Sequence, residues 1–210
     1  YYDYGLFNGA VLIAADSNII YQVALGITDP ITKNPINLST PFMIGSVSKQ
    51  FTAMGIMILK EREMLSYDDK IAKYLNDIPQ YAKNITIRNL LNQTSGLQDY
   101  SKGDADYSNW TNNDILDFIK TDTSLLFSPN KRHHYCNTNY ALLALIIEAI
   151  TKTPFNLFLK GNIFTPLNMK NSFTYYDTLK FDETRKAIGY FYVTNDMKND
   201  TSKILGPGQI

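Results

Sequence analysis

The chain has 210 residues, enough to bury a sizeable hydrophobic core in one domain or two small ones. Apolar residues make up 44% and charged residues 19%, ordinary usage for a folded protein, which excludes a disordered or collagen-like chain. Lys and Arg number 20 and Asp and Glu number 20, so no basic surplus exists to drive binding to nucleic acid or an anionic membrane, and the single cysteine, Cys136, excludes an internal disulfide framework.

Taken in chain order, residues 7–15 read as a buried strand, Asp16-Ser17-Asn18 as a turn, and residues 19–26 as the returning strand of an antiparallel hairpin. Thr28 to Pro41 reads as a loop punctuated by Pro30, Pro35 and Pro41. The pattern then turns helical. Residues 46–60 place Phe51, Met54, Met57 and Ile58 at helical spacing. Ser66-Tyr67-Asp68-Asp69 resembles a capping box opening a short helix through Tyr74, with Asp68 and Asp69 as first-turn charges. Residues 87–91, 113–120, 138–150 and 154–158 read as further helices, and strand signal returns near 172–176 and 187–193. Strands at both ends around a helical middle predict one sheet with a helical insertion. The most apolar run, residues 141–147, falls far short of the ~20 residues of a membrane span, so membrane contact is not indicated. No secretory signal is visible, and the opening Tyr1-Tyr2-Asp3-Tyr4-Gly5 leads to the expectation of a processed or trimmed N-terminus.

Three stretches carry chemistry. In Gly45-Ser46-Val47-Ser48-Lys49, the serine stands where a helix begins, and Lys49 follows on the same face. A helix N-terminus offers free N–H groups to a developing oxyanion, and a desolvated lysine one turn away can act as a base. Alone, the spacing is equally that of a helix cap and a solvated lysine. In Tyr135-Cys136-Asn137, a phenol near an ammonium can relay a proton, and an amide can hold a substrate carbonyl. Alone, the tripeptide reads as core packing and a cap. Thr94-Ser95-Gly96 by itself is a turn after a short helix. Gln98-Asp99-Tyr100 is placed to line a pocket, and Cys136 reads as a buried inert thiol. Adjacent His133 and His134 point different ways, and no Cys/His/carboxylate cluster stands at ligand spacing, so no metal is expected. Neither a phosphate-binding Gly-x-x-x-x-Gly-Lys loop nor a Gly-x-Ser-x-Gly elbow is present.

In this order and spacing, residues 45–53, 65–69, 85–97, 135–143 and 163–169 resemble the serine β-lactamase and penicillin-binding-protein superfamily, and within it the class C β-lactamase, D,D-peptidase and esterase branch. The resemblance runs from about Phe7 to the last residue. It implies an α/β (α+β), β-lactamase-like fold of two lobes. An antiparallel sheet with flanking helices would take about residues 1–45 and 168–210, an all-α lobe about 46–167, and the site would lie between them. It implies a covalent mechanism in which Ser46 attacks a carbonyl, Lys49 and Tyr135 share the proton transfers, Asn137 binds the acyl side, and the Ser46 N–H forms half of an oxyanion hole. The substrate would be a β-lactam, a D-amino-acid peptide or an ester, with no cofactor and no metal, in a protein of the periplasm or cell surface. The implied partner is thus a small molecule or peptide.

Family members also carry a Lys/His-x-Gly motif on a strand beside the nucleophile and a closing C-terminal helix, which do not stand in this sequence. The expectation is one incomplete catalytic domain over residues 1–210, with the rest of the site on another segment or chain. The alternative is a non-catalytic relative that binds penicillin or peptidoglycan, or a sensor domain.

Overall fold

The segment expected as a buried strand closes on itself through two residues that accept a left-handed backbone, and its residues 12–15 are exposed. In the computed structural model, which describes residues 7–29, 31–102, 107, 109–174, 186–187, 190–191 and 203–204, β1 (Gly9–Ala15) pairs antiparallel with β2 (Asn18–Leu25). Asp16 and Ser17 turn the chain with φ of 48° and 67°, the twist a two-residue hairpin loop needs. Asn8 clamps the open end: its Nδ2 donates to Ile27 O at 2.9 Å and its Oδ1 accepts from Ile27 N at 2.8 Å.

The helices follow the sequence pattern closely. They are α1 (Lys49–Glu61), α2 (Ile87–Leu91), α3 (Asn112–Thr121), α4 (Asn137–Thr151) and α5 (Phe155–Leu159). Thr86 and Thr111 each open a helix with a reciprocal capping box, to Asn89 and Asp114. The described residues up to Ile44, with those after Thr178, form one compact unit, and those from Gly45 to Asp177 form the other.

In the second unit α4 is the axis. Its residues 141–147 are all buried, and α1, α2, α3 and α5 all pack against it. A helix apolar on every side belongs in a core, and this one joins Ile56, Leu59, Ile71, Ile85, Leu90 and Ile119 in one cluster. No single described helix is long and apolar enough to cross a membrane.

The inward face of α1 differs from the expectation. Met54 and Met57 are exposed, and the buried stripe is Lys49, Thr52, Gly55, Ile56 and Leu59. The reason is Gly55: a Cβ there would lie 2.8 Å from Ile147 Cδ1, so its absence lets α1 approach α4 on that face. Lys49 stands on this same buried stripe.

Residues 66–74 also depart from the expected helix. A turn leads to Lys70, which is extended and bridges to Thr86, and only Ile71–Lys73 forms a 3₁₀ turn. The Asp69 carboxylate is what holds the turn. It accepts from Tyr74 Oη at 2.5 Å, Ser66 N at 2.7 Å and Lys73 Nζ at 2.9 Å. The Tyr74 bond, with those from Ser66 and Lys73, outweighs burial and lowers the Asp69 pKa to about 2. A depressed carboxylate pKa stabilises the fold above the unfolded value, and that contribution is lost as pH falls through the folded one. Melting curves taken from neutral pH downward should therefore show wild type exceeding Asp69→Asn by a margin that closes between about 4 and about 2. A margin independent of pH would contradict this.

The single sheet expected from the two ends is, among the described residues, two separate antiparallel pairs, β1–β2 and β3 (Tyr190–Phe191) with β4 (Lys203–Ile204). The hairpin strands spend their ladder bonds on each other, and no described strand joins either outer edge. Of the two late strand segments, Ser172–Thr174 is irregular, while Tyr175, Tyr176, Ile188, Gly189, Tyr192 and Val193 lie outside the described residues.

Candidate active site

Ser46 is not a helix cap. It lies in a 3₁₀ turn, Gly45–Ser48, that precedes α1, so the α-helix starts three residues later than the motif suggests. The turn leaves Ser46 exposed and puts its side chain beside that of Lys49, with Nζ donating to Oγ at 3.1 Å. Lys49 itself is only 7% exposed and is no solvated lysine. Its Nζ donates also to Asn137 Oδ1 at 2.8 Å and lies 5.0 Å from the Tyr135 ring centre. Tyr135 Oη lies 2.5 Å from Ser46 Oγ. Ser46, Lys49, Tyr135 and Asn137 thus meet in one unit, although residues 46 and 135 are 89 positions apart.

Partial burial of the Tyr135 phenol works to raise its pKa. Hydrogen bonding to Lys49 and Ser46, with the ammonium charge, outweighs it, and the net shift is downward from 10. A hydroxyl, an ammonium and an acidified phenol in mutual contact can pass a proton among themselves without solvent, the arrangement that activates a serine for attack on a carbonyl.

The Tyr135–Asn137 segment is held by Gln93, directly before the Thr94-Ser95-Gly96 turn, and by Ser95 within that turn. Gln93 is only 6% exposed with φ of 59°, and its Oε1 accepts from Cys136 N at 3.0 Å and Asn139 Nδ2 at 2.6 Å. Its carbonyl accepts from His134 N at 2.8 Å. Ser95 Oγ donates to Asn139 Oδ1 at 2.6 Å. Two backbone N–H groups beside Tyr135, those of His134 and Cys136, and the Asn139 side chain are therefore pinned by Gln93 and Ser95. The signal was the position of Gln93 directly before Thr94-Ser95-Gly96, but nothing local says that its partners lie over forty residues away.

Of Gln98-Asp99-Tyr100, Tyr100 packs into a small cluster with Ile115, Ala141, Tyr107 and Trp110. Gln98 contributes its carbonyl to Thr138 Oγ1 and Cys136 Sγ. Asp99 is buried, and Ser101, not singled out in the sequence, bonds both to it and to Asn137. Cys136 is buried, and burial pushes its thiol up to about 11, so it carries no thiolate near neutrality. His133 is exposed, and His134 Nδ1 lies 3.0 Å from Tyr135 O. Among the described residues no group of three His, Cys, Asp or Glu side chains is placed to hold a metal.

The family model described as "Beta-lactamase" matches residues 3–199. The chain belongs to the beta-lactamase family. It is 37% identical over 194 residues to penicillin-binding protein 4* of Bacillus subtilis, covering 89% of this chain and 42% of that protein. It is 33% identical over 184 residues to a D-aminopeptidase of Brucella anthropi, covering 83% of this chain and 34% of that enzyme. The chain thus spans less than half the length of these curated relatives. Among solved structures, the octameric penicillin-binding protein homologue of Pyrococcus abyssi superposes with a TM-score of 0.76 at 26% identity, over 93% of this chain and 45% of that one. The D-amino acid amidase of Ochrobactrum anthropi SV3, solved with L-phenylalanine amide, superposes with a TM-score of 0.72 at 29% identity, over 93% of this chain and 55% of that one. The fold of this family member is accordingly β-lactamase-like.

Proposed function

We propose that this chain carries the nucleophile side of a serine hydrolase that forms an acyl-enzyme through Ser46, on an amide or ester of a D-amino acid or on a β-lactam. The observation that carries the reading is the convergence of Lys49 Nζ at 3.1 Å and Tyr135 Oη at 2.5 Å on Ser46 Oγ. The Lys49–Tyr135 pair takes the Ser46 proton as Oγ attacks the carbonyl carbon. The carbonyl π electrons move to oxygen, where the Ser46 backbone N–H supplies one donor of the oxyanion hole. As the tetrahedral intermediate collapses, the C–N or C–O bond breaks and the pair returns the proton to the leaving group. Water, deprotonated by the same pair, then releases the acyl group from Ser46. Asn137 holds Lys49 through Oδ1 and offers its second Nδ2 proton toward the acyl side. The choice of D-amino-acid and β-lactam substrates rests on the names of the relatives: a penicillin-binding protein, a D-aminopeptidase and a D-amino acid amidase.

The test is intact-mass analysis of the full gene product after incubation with benzylpenicillin and, separately, with a D-phenylalanine ester. A covalent adduct in wild type and none in Ser46→Ala is the expected result, and its decay rate separates hydrolysis from long-lived penicillin binding. Identical spectra for wild type and Ser46→Ala with both compounds would remove Ser46 as the nucleophile and leave a non-catalytic binding relative.

A further inference from the structure

We propose that Asp99 and Ser101 form a positioning pair that sets the direction of the Asn137 amide and thereby aims Lys49 at Ser46. The inference rests on the reading of Ser46 as nucleophile and deepens it. Asp99 is 6% exposed, and its Oδ1 accepts from both the backbone N–H of Ser101 at 3.1 Å and the Ser101 hydroxyl at 2.9 Å. A carboxylate only accepts, so the hydroxyl spends its one proton on Asp99 and has only lone pairs left for its other neighbour. That neighbour is the Asn137 side chain at 3.1 Å, which must therefore present Nδ2 to Ser101. Its Oδ1 then points the other way, 2.8 Å from Lys49 Nζ, a group that only donates.

An asparagine amide standing alone can be turned over at little cost, and which end is oxygen must be argued from its partners. Here both ends of the Asn137 amide are fixed by their partners. An acceptor-only carboxylate anchors one end of the chain of bonds and a donor-only ammonium the other, so turning the amide over creates two mismatches at once. The Asn137 carbonyl is thereby kept on Lys49, which leaves Nζ a second direction, toward Ser46 Oγ at 3.1 Å. With the pair removed, the amide gains freedom to rotate, and Lys49 loses the contact that fixes its ammonium. A reacting group misplaced by an ångström costs up to about a hundredfold in rate.

The experiment follows Ser46 labelling by an alkyl fluorophosphonate, read by intact mass in the full gene product. Wild type is compared with Asp99→Asn, Ser101→Ala, Ser101→Thr and Ser46→Ala, and the side-chain amide ¹⁵N–¹H signals of Asn137 are recorded alongside. Asp99→Asn and Ser101→Ala are expected to slow labelling at least about tenfold. Ser101→Thr, which keeps the hydroxyl, is expected to restore it, and the Asn137 amide signals should move in Ser101→Ala but not in Ser101→Thr. Should Asp99→Asn not fold, Ser101→Ala and its threonine rescue carry the test. Labelling at the wild-type rate in Ser101→Ala, or unmoved Asn137 signals, would overturn the positioning role. If wild type and Ser46→Ala label alike, the nucleophile reading fails, while the Asn137 signals still decide whether the pair orients the amide.

Discussion

Replacing Lys49 with Ala should lower the rate of Ser46 acylation by about 10²–10⁴, the range that one positioned proton-transfer group contributes. Lys49 is buried, donates to Ser46 Oγ at 3.1 Å, and supplies the charge and hydrogen bonding that bring the Tyr135 pKa below its ordinary 10. Removing the ammonium leaves partial burial, which acts upward, as the main influence on Tyr135. The residual rate should therefore rise with pH along an inflection displaced upward from that of wild type. Lys49→Arg should fail as well, because a planar guanidinium does not reproduce a compact ammonium held 3.1 Å from Ser46 Oγ and 2.8 Å from Asn137 Oδ1. The measurement is the second-order acylation rate against pH, from mass spectra at timed intervals. A Lys49→Ala protein that acylates at the wild-type rate would exclude Lys49 from the proton transfer.

Gly96→Ala should cost about 2–5 kcal/mol of stability, from ~1–2 for a side chain in left-handed backbone and ~1–3 for the atoms it displaces. Gly96 has φ of 80°, and a Cβ there would stand 2.1 Å from the carbonyl oxygen of Phe127. That oxygen belongs to backbone and cannot swing aside as a side chain would. Leu126 N donates to Gly96 O at 2.8 Å, so the two segments are tied at the point of contact. The melting temperature should fall by roughly 4–20 °C for a chain of this size. Gly161→Ala is the control: a Cβ there meets nothing within 4 Å, and the change should stay within about 0.5 kcal/mol. Ser95, next to Gly96, bonds Asn139 behind the Tyr135 segment, so surviving Gly96→Ala protein should acylate slowly as well. A melting temperature equal to wild type would refute the close approach.

The helices could be located from the sequence because each carries its own instructions. Thr86 and Thr111 open α2 and α3 with capping boxes that need only the next three residues, and α4 announces itself by an unbroken apolar run. Residues 66–74 misled for the opposite reason. The Ser66–Asp69 spacing suits a capping box, but Lys70 pairs with Thr86 and draws the chain straight. The Asp69 carboxylate then serves a turn instead of a helix. In α1, helical spacing pointed to Met54 and Met57 as inward residues, and the absence of a side chain at Gly55 decided otherwise.

The motif residues Ser46, Lys49, Tyr135 and Asn137 could be named because several ordered stretches resemble the β-lactamase and penicillin-binding-protein superfamily, and the family model over residues 3–199 shows the membership. Local signals determined where the hairpin turns and where α2 and α3 begin, because they act over three or four residues. The tertiary structure decided which face of α1 is buried, and so that Lys49 leaves water. It also decided that Gln93 pins the Tyr135 segment across 43 and 46 positions, and that Ser101, held by Asp99, meets Asn137 from 36 positions away. Such contacts depend on how α1 and the loop after α2 come to rest against α4. That is a property of close packing among distant segments, and no stretch of the chain expresses it by itself.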